Sequence, residues 1–329
     1  MPRRAWRRAL VVAALLVVGL PAAAVVYTTQ PLLWYSKGAS LAGPDPRRLE
    51  GHVRMLSETL APRHWERPDN LDRAAEYVAG HLAGAGARVV EQIYTVPNAG
   101  RYRNVIASFG PEGGARIVVG AHYDADNPLP GADDNASGVA GLIELGRLLG
   151  GSGRPPLRVD LVAFTLEELP YYDTRWMGSW VHAASLRQNG VAVRAMLCLE
   201  MIGYFDDAAG SQRFPHPLLR LVYPSAGNFI AVVGRVGEAG LVRTVKRAMQ
   251  EATDLDVRSM NGPTWVAGID FSDHRSYWAH AYPAVMITDT AFYRNAHYHT
   301  ARDTADTLDY RRMAEVVRGV HRAVLRLAR

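Results

Sequence analysis

Glu167 and Glu168 stand side by side just after an apolar run, Leu157 to Phe164, and two other apolar runs also end in groups that bind protons or cations. His122 and Asp124 follow Ile117 to Ala121, and Glu200 follows Ala195 to Leu199. Asp133 and Asp134 come in the loop after His122, and His299 lies in a loop after a late run at Ala284 to Ile287. Taken singly, each has an ordinary use. A His-x-Asp bonds its own loop, Asp133-Asp134-Asn135 caps the apolar helix that follows, and a glutamate pair or a loop histidine sits in water. Gathered in one crevice, the carboxylates repel one another at pH 7 unless cations lie between them. Imidazole with carboxylate oxygens and no thiolate is the ligand set of a catalytic zinc site. Successive residues leaving a strand point in different directions. One glutamate of the pair can therefore hold a metal while the other accepts a proton from the reacting water.

These groups need elements that bring them together. β-rich runs occur at Val89 to Val96, Asn104 to Phe109, Ile117 to Ala121, Leu157 to Phe164, Ala195 to Leu199, Phe229 to Val233 and Ala284 to Ile287. Helical periodicity is found at Arg47 to Leu60, Leu71 to Ala83, Ser137 to Leu149, Ser179 to Gln188, Leu241 to Glu251 and Arg311 to Leu327. Such alternation predicts an α/β fold, a mostly parallel central sheet with helices on both faces. In such sheets ligands bind outside the carboxyl ends of the strands, where His122, Glu167, Glu168 and Glu200 fall.

The composition of the 329 residues, 48% hydrophobic and 21% charged, is that of a globular protein and excludes disordered and collagen-like classes. Cys198 is the single cysteine, so neither an intrachain disulfide nor a thiolate zinc cluster is available. The net charge of +5 comes mostly from Arg3, Arg4, Arg7 and Arg8; without them 33 basic residues face 32 acidic ones. No basic excess is left to attract a phosphate backbone, which excludes nucleic acid as a partner. Those arginines precede an apolar run from Ala9 to Tyr27, about 19 residues and long enough to cross a bilayer. Residues 1–27 thus read as a basic flank with either a retained anchor helix or a signal peptide cleaved near Ala22-Ala23-Ala24. In both cases the positive flank stays cytoplasmic, and the remainder is extracytoplasmic, membrane-anchored or secreted. Residues 28–46, with Pro, Gly and Ser, read as a linker, and 47–329 as the domain.

The segments Gly120-Ala121-His122-Tyr123-Asp124, Pro130 to Gly138, Glu167-Glu168, Leu199-Glu200-Met201-Ile202-Gly203-Tyr204 and Tyr298-His299-Thr300 follow one another in a specific order. In that order and approximate spacing the chain resembles the zinc aminopeptidase family twenty-eight of the metallopeptidases, co-catalytic di-zinc exopeptidases related to bacterial leucyl aminopeptidases and glutaminyl cyclases. The resemblance implies a zinc-exopeptidase fold acting on peptide or aminoacyl substrates. It implies two zinc ions bridged by Asp133, one completed by His122 and Glu200 and the other by Glu168 and His299. Cobalt or manganese would suit similar ligands. Glu167 becomes the general base and Asp124 the partner that orients His122. A cis peptide is implied between Asp133 and Asp134. Glu200 departs from the family, where many members have Asp.

Two other readings share the resemblance: a single-zinc glutaminyl cyclase-like acyltransferase, and a non-catalytic membrane-tethered receptor domain. Asp273 and His274, in Ser272-Asp273-His274, are further candidates near the site, and Tyr171, Tyr172, Trp176, Tyr204, Phe205 and Tyr298 are candidates for a substrate pocket. Met177, Met201 and Met286 read as packing, and Arg302 to Thr304 as a loop that orders itself.

Overall fold

The structure, a computed structural model, describes residues 15–32, 34–38 and 41–329. Its centre is an eight-stranded sheet of β1 Arg88–Val96, β2 Gly100–Phe109, β3 Arg116–His122, β4 Arg158–Phe164, β5 Val193–Glu200, β6 Phe229–Arg235, β7 Asp256–Gly262 and β8 Ala284–Thr288. The spatial order is β1-β2-β4-β3-β5-β8-β6-β7. The middle four, β4, β3, β5 and β8, run parallel, whereas β1 and β2 form an antiparallel hairpin on one side and β6 runs antiparallel to β8 on the other. β4 is buried along its whole length and β3 over all but its first residue, as consecutive apolar residues covered on both faces require.

The helices are α1 Leu20–Thr29, α2 Pro46–Arg54, α3 Pro68–Gly84, α4 Gly138–Gly151, α5 Gly178–Gln188, α6 Ala239–Ala252, α7 His274–Ala279 and α8 Tyr310–Leu327. One face of the sheet packs a large core with Leu49, Leu71, Leu142, Val242 and Val317 from α2, α3, α4, α6 and α8. The other packs Ala183, Leu186, Tyr277 and Trp278 from α5 and α7. The amphipathic α8 starts where Asp309 accepts the amides of Arg311 and Arg312, and it buries Val316, Val317, Val320 and Val324. Each such side chain contributes about 1.5–3 kcal/mol.

Two features differ from expectation. β7 and α7 were not foreseen, because Asp256-Val257-Arg258-Ser259-Met260-Asn261-Gly262 carries the polar residues of a loop and α7 is only six residues long. The helix over Leu71 to Ala83 begins earlier, at Pro68, whose missing N–H suits a first helical turn. Among the described residues no helix is long and apolar enough to cross a membrane; Ala9 to Ala14 of the expected anchor lie outside them.

Candidate functional site

The four parallel strands end side by side, and each delivers chemistry at its carboxyl end. His122 is the last residue of β3 and Glu200 the last of β5; Glu167 and Glu168 follow β4, and the loop carrying His299 follows β8. Leu166, Met201 and His299 all adopt left-handed backbone (φ +60°, +46° and +52°), which turns the chain sharply beside the functional side chains. Such conformations cost on the order of 1–3 kcal/mol and persist where the surroundings enforce them. Gly131 (φ +57°) opens the loop before Asp134, and a Cβ there would lie 2.3 Å from the Asp134 carbonyl.

Asp134 stands between the two histidines. Its Oδ1 is 3.3 Å from His122 Nε2 and its Oδ2 is 3.1 Å from His299 Nε2. Glu200 Oε2 lies 3.4 Å from His122 Nε2, and Glu168 Oε2 lies 3.4 Å from His299 Nε2. Two sets of ligand-type atoms thus share Asp134. His122, Asp134 and Glu168 converge closely enough for one ion, as do Asp126, Glu168 and His299.

The donor set fits divalent cations. His122 Nδ1 is 3.2 Å from the Asp124 carbonyl, which can only accept, so the hydrogen sits on Nδ1 and Nε2 offers its lone pair inward. His122 Nε2, His299 Nε2 and Glu168 Oε1 are buried and have no hydrogen-bond partner. Without cations the cluster holds protons instead. Burial, then the neighbouring Asp134, pushes Glu168 up to about 8, and burial raises Glu167 well above the usual carboxylate range. Burial pulls His299 down, but Asp134 and Glu168 outweigh it and lift the imidazole to about 11. Burial pushes Asp134 up, but the His122 and His299 imidazoles beside its two oxygens outweigh that and hold it low.

Asp133, the expected bridge, faces away. Its Oδ1 accepts the Gly203 N–H at 3.0 Å and its Oδ2 accepts Asn295 Nδ2 at 2.9 Å, and burial with the facing Asp289 raises its pKa. Asp134 instead stands between the two histidines, and the cis peptide likewise falls one residue later, at Asp134-Asn135. Asp124 also differs in its main contacts. Its carboxylate accepts the amides of Glu167 (3.2 Å) and Glu168 (3.1 Å) and lies 3.6 Å from His122 Nδ1, whose hydrogen goes to the Asp124 backbone.

Several supporting residues escaped sequence reasoning. Asp303, read as ordering its own loop, reaches back to accept the amides of Asp133 and Asp134 at 2.9 and 3.1 Å. Arg63 is wholly buried and donates to the carbonyls of Leu56, Tyr123, Pro130 and Gly131, tying together the loops on either side of the cluster. Asn135 accepts the amides of Gly138 and Met201, and Ser272 donates to Glu200 Oε2 at 2.6 Å. No local motif marks Arg63 or Asp303, since their partners are backbone groups, most of them far away in sequence.

Tyr298 stacks on His299 with ring centroids 3.8 Å apart. Beside it an apolar cleft begins at Glu200 and is lined by Phe229, Ile269, Phe271, Met286 and Phe292. Of the aromatic pocket candidates only Tyr298 lines this cleft; Tyr171, Trp176, Tyr204 and Phe205 pack against the core, and Tyr172 donates to the Asp270 carbonyl. Met286, read as packing, is part of the cleft wall. Asp273 and His274 are buried, and His274 Nε2 bonds the Ile269 carbonyl outside the cluster.

Known proteins share the family and fold of this chain. The family model described as peptidase family M28 matches residues 104–324. The chain is 50% identical over 284 residues to the uncharacterized protein YfbL of Escherichia coli strain K12, covering 84% of this chain and 86% of YfbL. It is 26% identical over 266 residues to leucine aminopeptidase 1 of Fusarium vanettenii, covering 76% of this chain and 61% of the fungal protein. The crystal structure of LapB from Legionella pneumophila superposes with a TM-score of 0.68 at 20% identity, over 86% of this chain and 72% of LapB, a likeness of fold.

Proposed function

This chain belongs to peptidase family M28, and from that premise we propose that it is an aminopeptidase that works with two divalent cations. It is a metal-dependent exopeptidase by family; the finer reading adds that His122 and Glu200 would hold one ion and Glu168 and His299 the other, with Asp134 available to both. The observation that carries this is the single Asp134 carboxylate with one oxygen turned to each histidine. Zinc is the first choice for a nitrogen and oxygen donor set without thiolate, and cobalt or manganese suit it as well.

When bound, the cations lower the pKa of water and polarise the scissile carbonyl. The protein's own groups do the rest. Glu167 accepts the proton of the attacking water and returns it to the leaving amine. Its backbone is fixed by Asp124, and burial raises its carboxyl above the usual carboxylate range, which favours taking up a proton. The apolar cleft beside Glu200 and Tyr298 accepts the side chain of an apolar N-terminal residue, which agrees with the name of the fungal relative. The arginine-flanked apolar run at the N-terminus supports an anchored enzyme with this site on the extracytoplasmic side.

Metal analysis with a panel of aminoacyl amides tests the reading. Two cations per chain are expected. Glu167→Gln keeps both while losing turnover by about 10²–10⁴-fold, the usual contribution of a general base. Parent-rate hydrolysis by Glu167→Gln removes Glu167 from the role, and a single tightly bound cation favours the cyclase-like alternative.

A further inference from the structure

The sheet edge at β7 gathers apolar and cationic side chains that the folded core does not use. α1 packs beside this strand and is apolar all round, with Val17 (71% exposed) and Val18 just before it and Leu20, Val25 and Val26 within it left uncovered. Its carboxyl end is nonetheless fixed by polar bonds. Ser259 Oγ and Lys246 Nζ donate to the Thr29 carbonyl, Arg243 Nε donates to Gln30 Oε1, and the Tyr27 hydroxyl accepts the Gly237 amide. A helix seated for the sake of its apolar side would bury that side. Here the bonded end holds the helix in place and the apolar surface stays bare.

Two loops linked to β7 carry the same kind of surface. The turn Pro217–Leu221 exposes Leu218 and Leu221 (80%) around Arg220, and the loop after β7 exposes Trp265 (84%). Hydrogen bonds link both loops to residues that hold the helix or adjoin one that does. The Tyr223 hydroxyl donates to the Ser259 carbonyl while Ser259's own hydroxyl holds Thr29, and Val236, itself exposed beside Gly237, donates to the carbonyl of Gly262, three residues before Trp265. Exposed Arg243 and Arg247, one turn apart on α6, add positive charge. Leucine and tryptophan interspersed with arginine are what a surface needs at the boundary between hydrocarbon and anionic headgroups. Upstream of Leu15 the sequence stays apolar from Ala14 back to Ala9 and is flanked by Arg8, Arg7, Arg4 and Arg3.

We propose that the β7 edge of the domain rests on the surface of a phospholipid bilayer, with Leu218, Leu221 and Trp265 in the headgroup region, instead of swinging free on a tether. The proposal rests on the anchored reading of the N-terminus and adds a second, domain-borne contact. The same loops wall the apolar cleft, through Phe214 and Tyr223 on one side and Ala267 and Phe271 on the other, so the contact brings the cleft to the bilayer surface. The test uses the full chain in vesicles of phosphatidylethanolamine and phosphatidylglycerol. A polarity-sensitive fluorophore is attached at Leu221→Cys, at Trp265→Cys or, on the far hairpin side of the sheet, at Glu112→Cys; Cys198 is buried and stays unlabelled. Retained aminoacyl-amide hydrolysis reports that each labelled chain is folded. A blue shift and loss of iodide quenching at positions 221 and 265, with neither at 112, is the expected result. Equal iodide quenching at all three in chains that float with the vesicles overturns the docking and leaves the anchor standing. Chains that fail to float with the vesicles overturn both.

Discussion

Replacing Asp124 with Asn tests how the base is held. The carboxylate of Asp124 accepts one backbone amide with each oxygen, Glu167 at 3.2 Å and Glu168 at 3.1 Å. Asparagine keeps one acceptor and turns an NH₂ toward the other amide, leaving a buried N–H without a partner at a cost of about 1–3 kcal/mol. The bond that survives loses its charge assistance, about another 1 kcal/mol. The variant is therefore expected to unfold with a stability lower by roughly 2–4 kcal/mol, measured by denaturant titration of the cation-free chain. The disturbance falls on the turn that aims Glu167, and a displacement near 1 Å there costs about 10²-fold in turnover. His122 is oriented by the Asp124 carbonyl, which the substitution leaves in place, so the cation held with Glu200 keeps its affinity while the one held with Glu168 weakens. Two-site metal titration and kcat at saturating metal read these outcomes separately. Unchanged stability and kcat together with selective loss of the His122-side cation would refute the argument and return Asp124 to the role of orienting His122.

Two further outcomes follow from the same cluster. Asp134→Asn is expected to cut metal content at both positions and to abolish most turnover. Asp133→Asn, whose side chain accepts from Gly203 and Asn295 and faces Asp289, keeps both cations; metal loss confined to Asp133→Asn would reverse the assignment. In the cation-free protein at pH 7, Glu168, raised to about 8, and His299, raised to about 11, both carry protons that cation binding must expel. Apparent affinity therefore rises with pH from 6 toward 8. Calorimetry at pH 7 in buffers of different ionisation enthalpy should show proton release, and buffer-independent heats would contradict the protonation assigned here.

Much of the scaffold was legible because its central strands are apolar on consecutive positions, a pattern that belongs to strands covered on both faces. Ile117-Val118-Val119 and Leu161-Val162-Ala163-Phe164 carry it, and the groups just past their ends are the ones the fold brings together. β7 was not legible because it lies at the sheet edge, where Arg258 and Met260 are only partly buried and polar residues are tolerated. Arg63 and Asp303 stayed hidden for another reason: each acts on main-chain groups, which are alike at every position and leave no trace in the pattern of residue types.

The exchange of Asp133 for Asp134 shows where residue type stops being informative. Both are aspartates, both are buried, and both lie on the loop between β3 and α4, so chemistry alone allows either to bridge. The choice is made by what surrounds the loop. Asp303 fixes both amides, Asn135 is pinned by its bonds to the amides of Gly138 and Met201, and Gly203 with Asn295 supplies two donors to the carboxylate of Asp133. Asp134 has histidine nitrogens near its oxygens instead, and of the two carboxyls it is the one held ionised while Asp133 is pushed toward its neutral form. An ionised carboxylate with an imidazole nitrogen beside each oxygen is the better cation ligand, whereas both oxygens of Asp133 are already taken up by N–H donors. The loop thus sorts two identical side chains into different jobs through long-range partners, which is information that spacing along the chain does not contain.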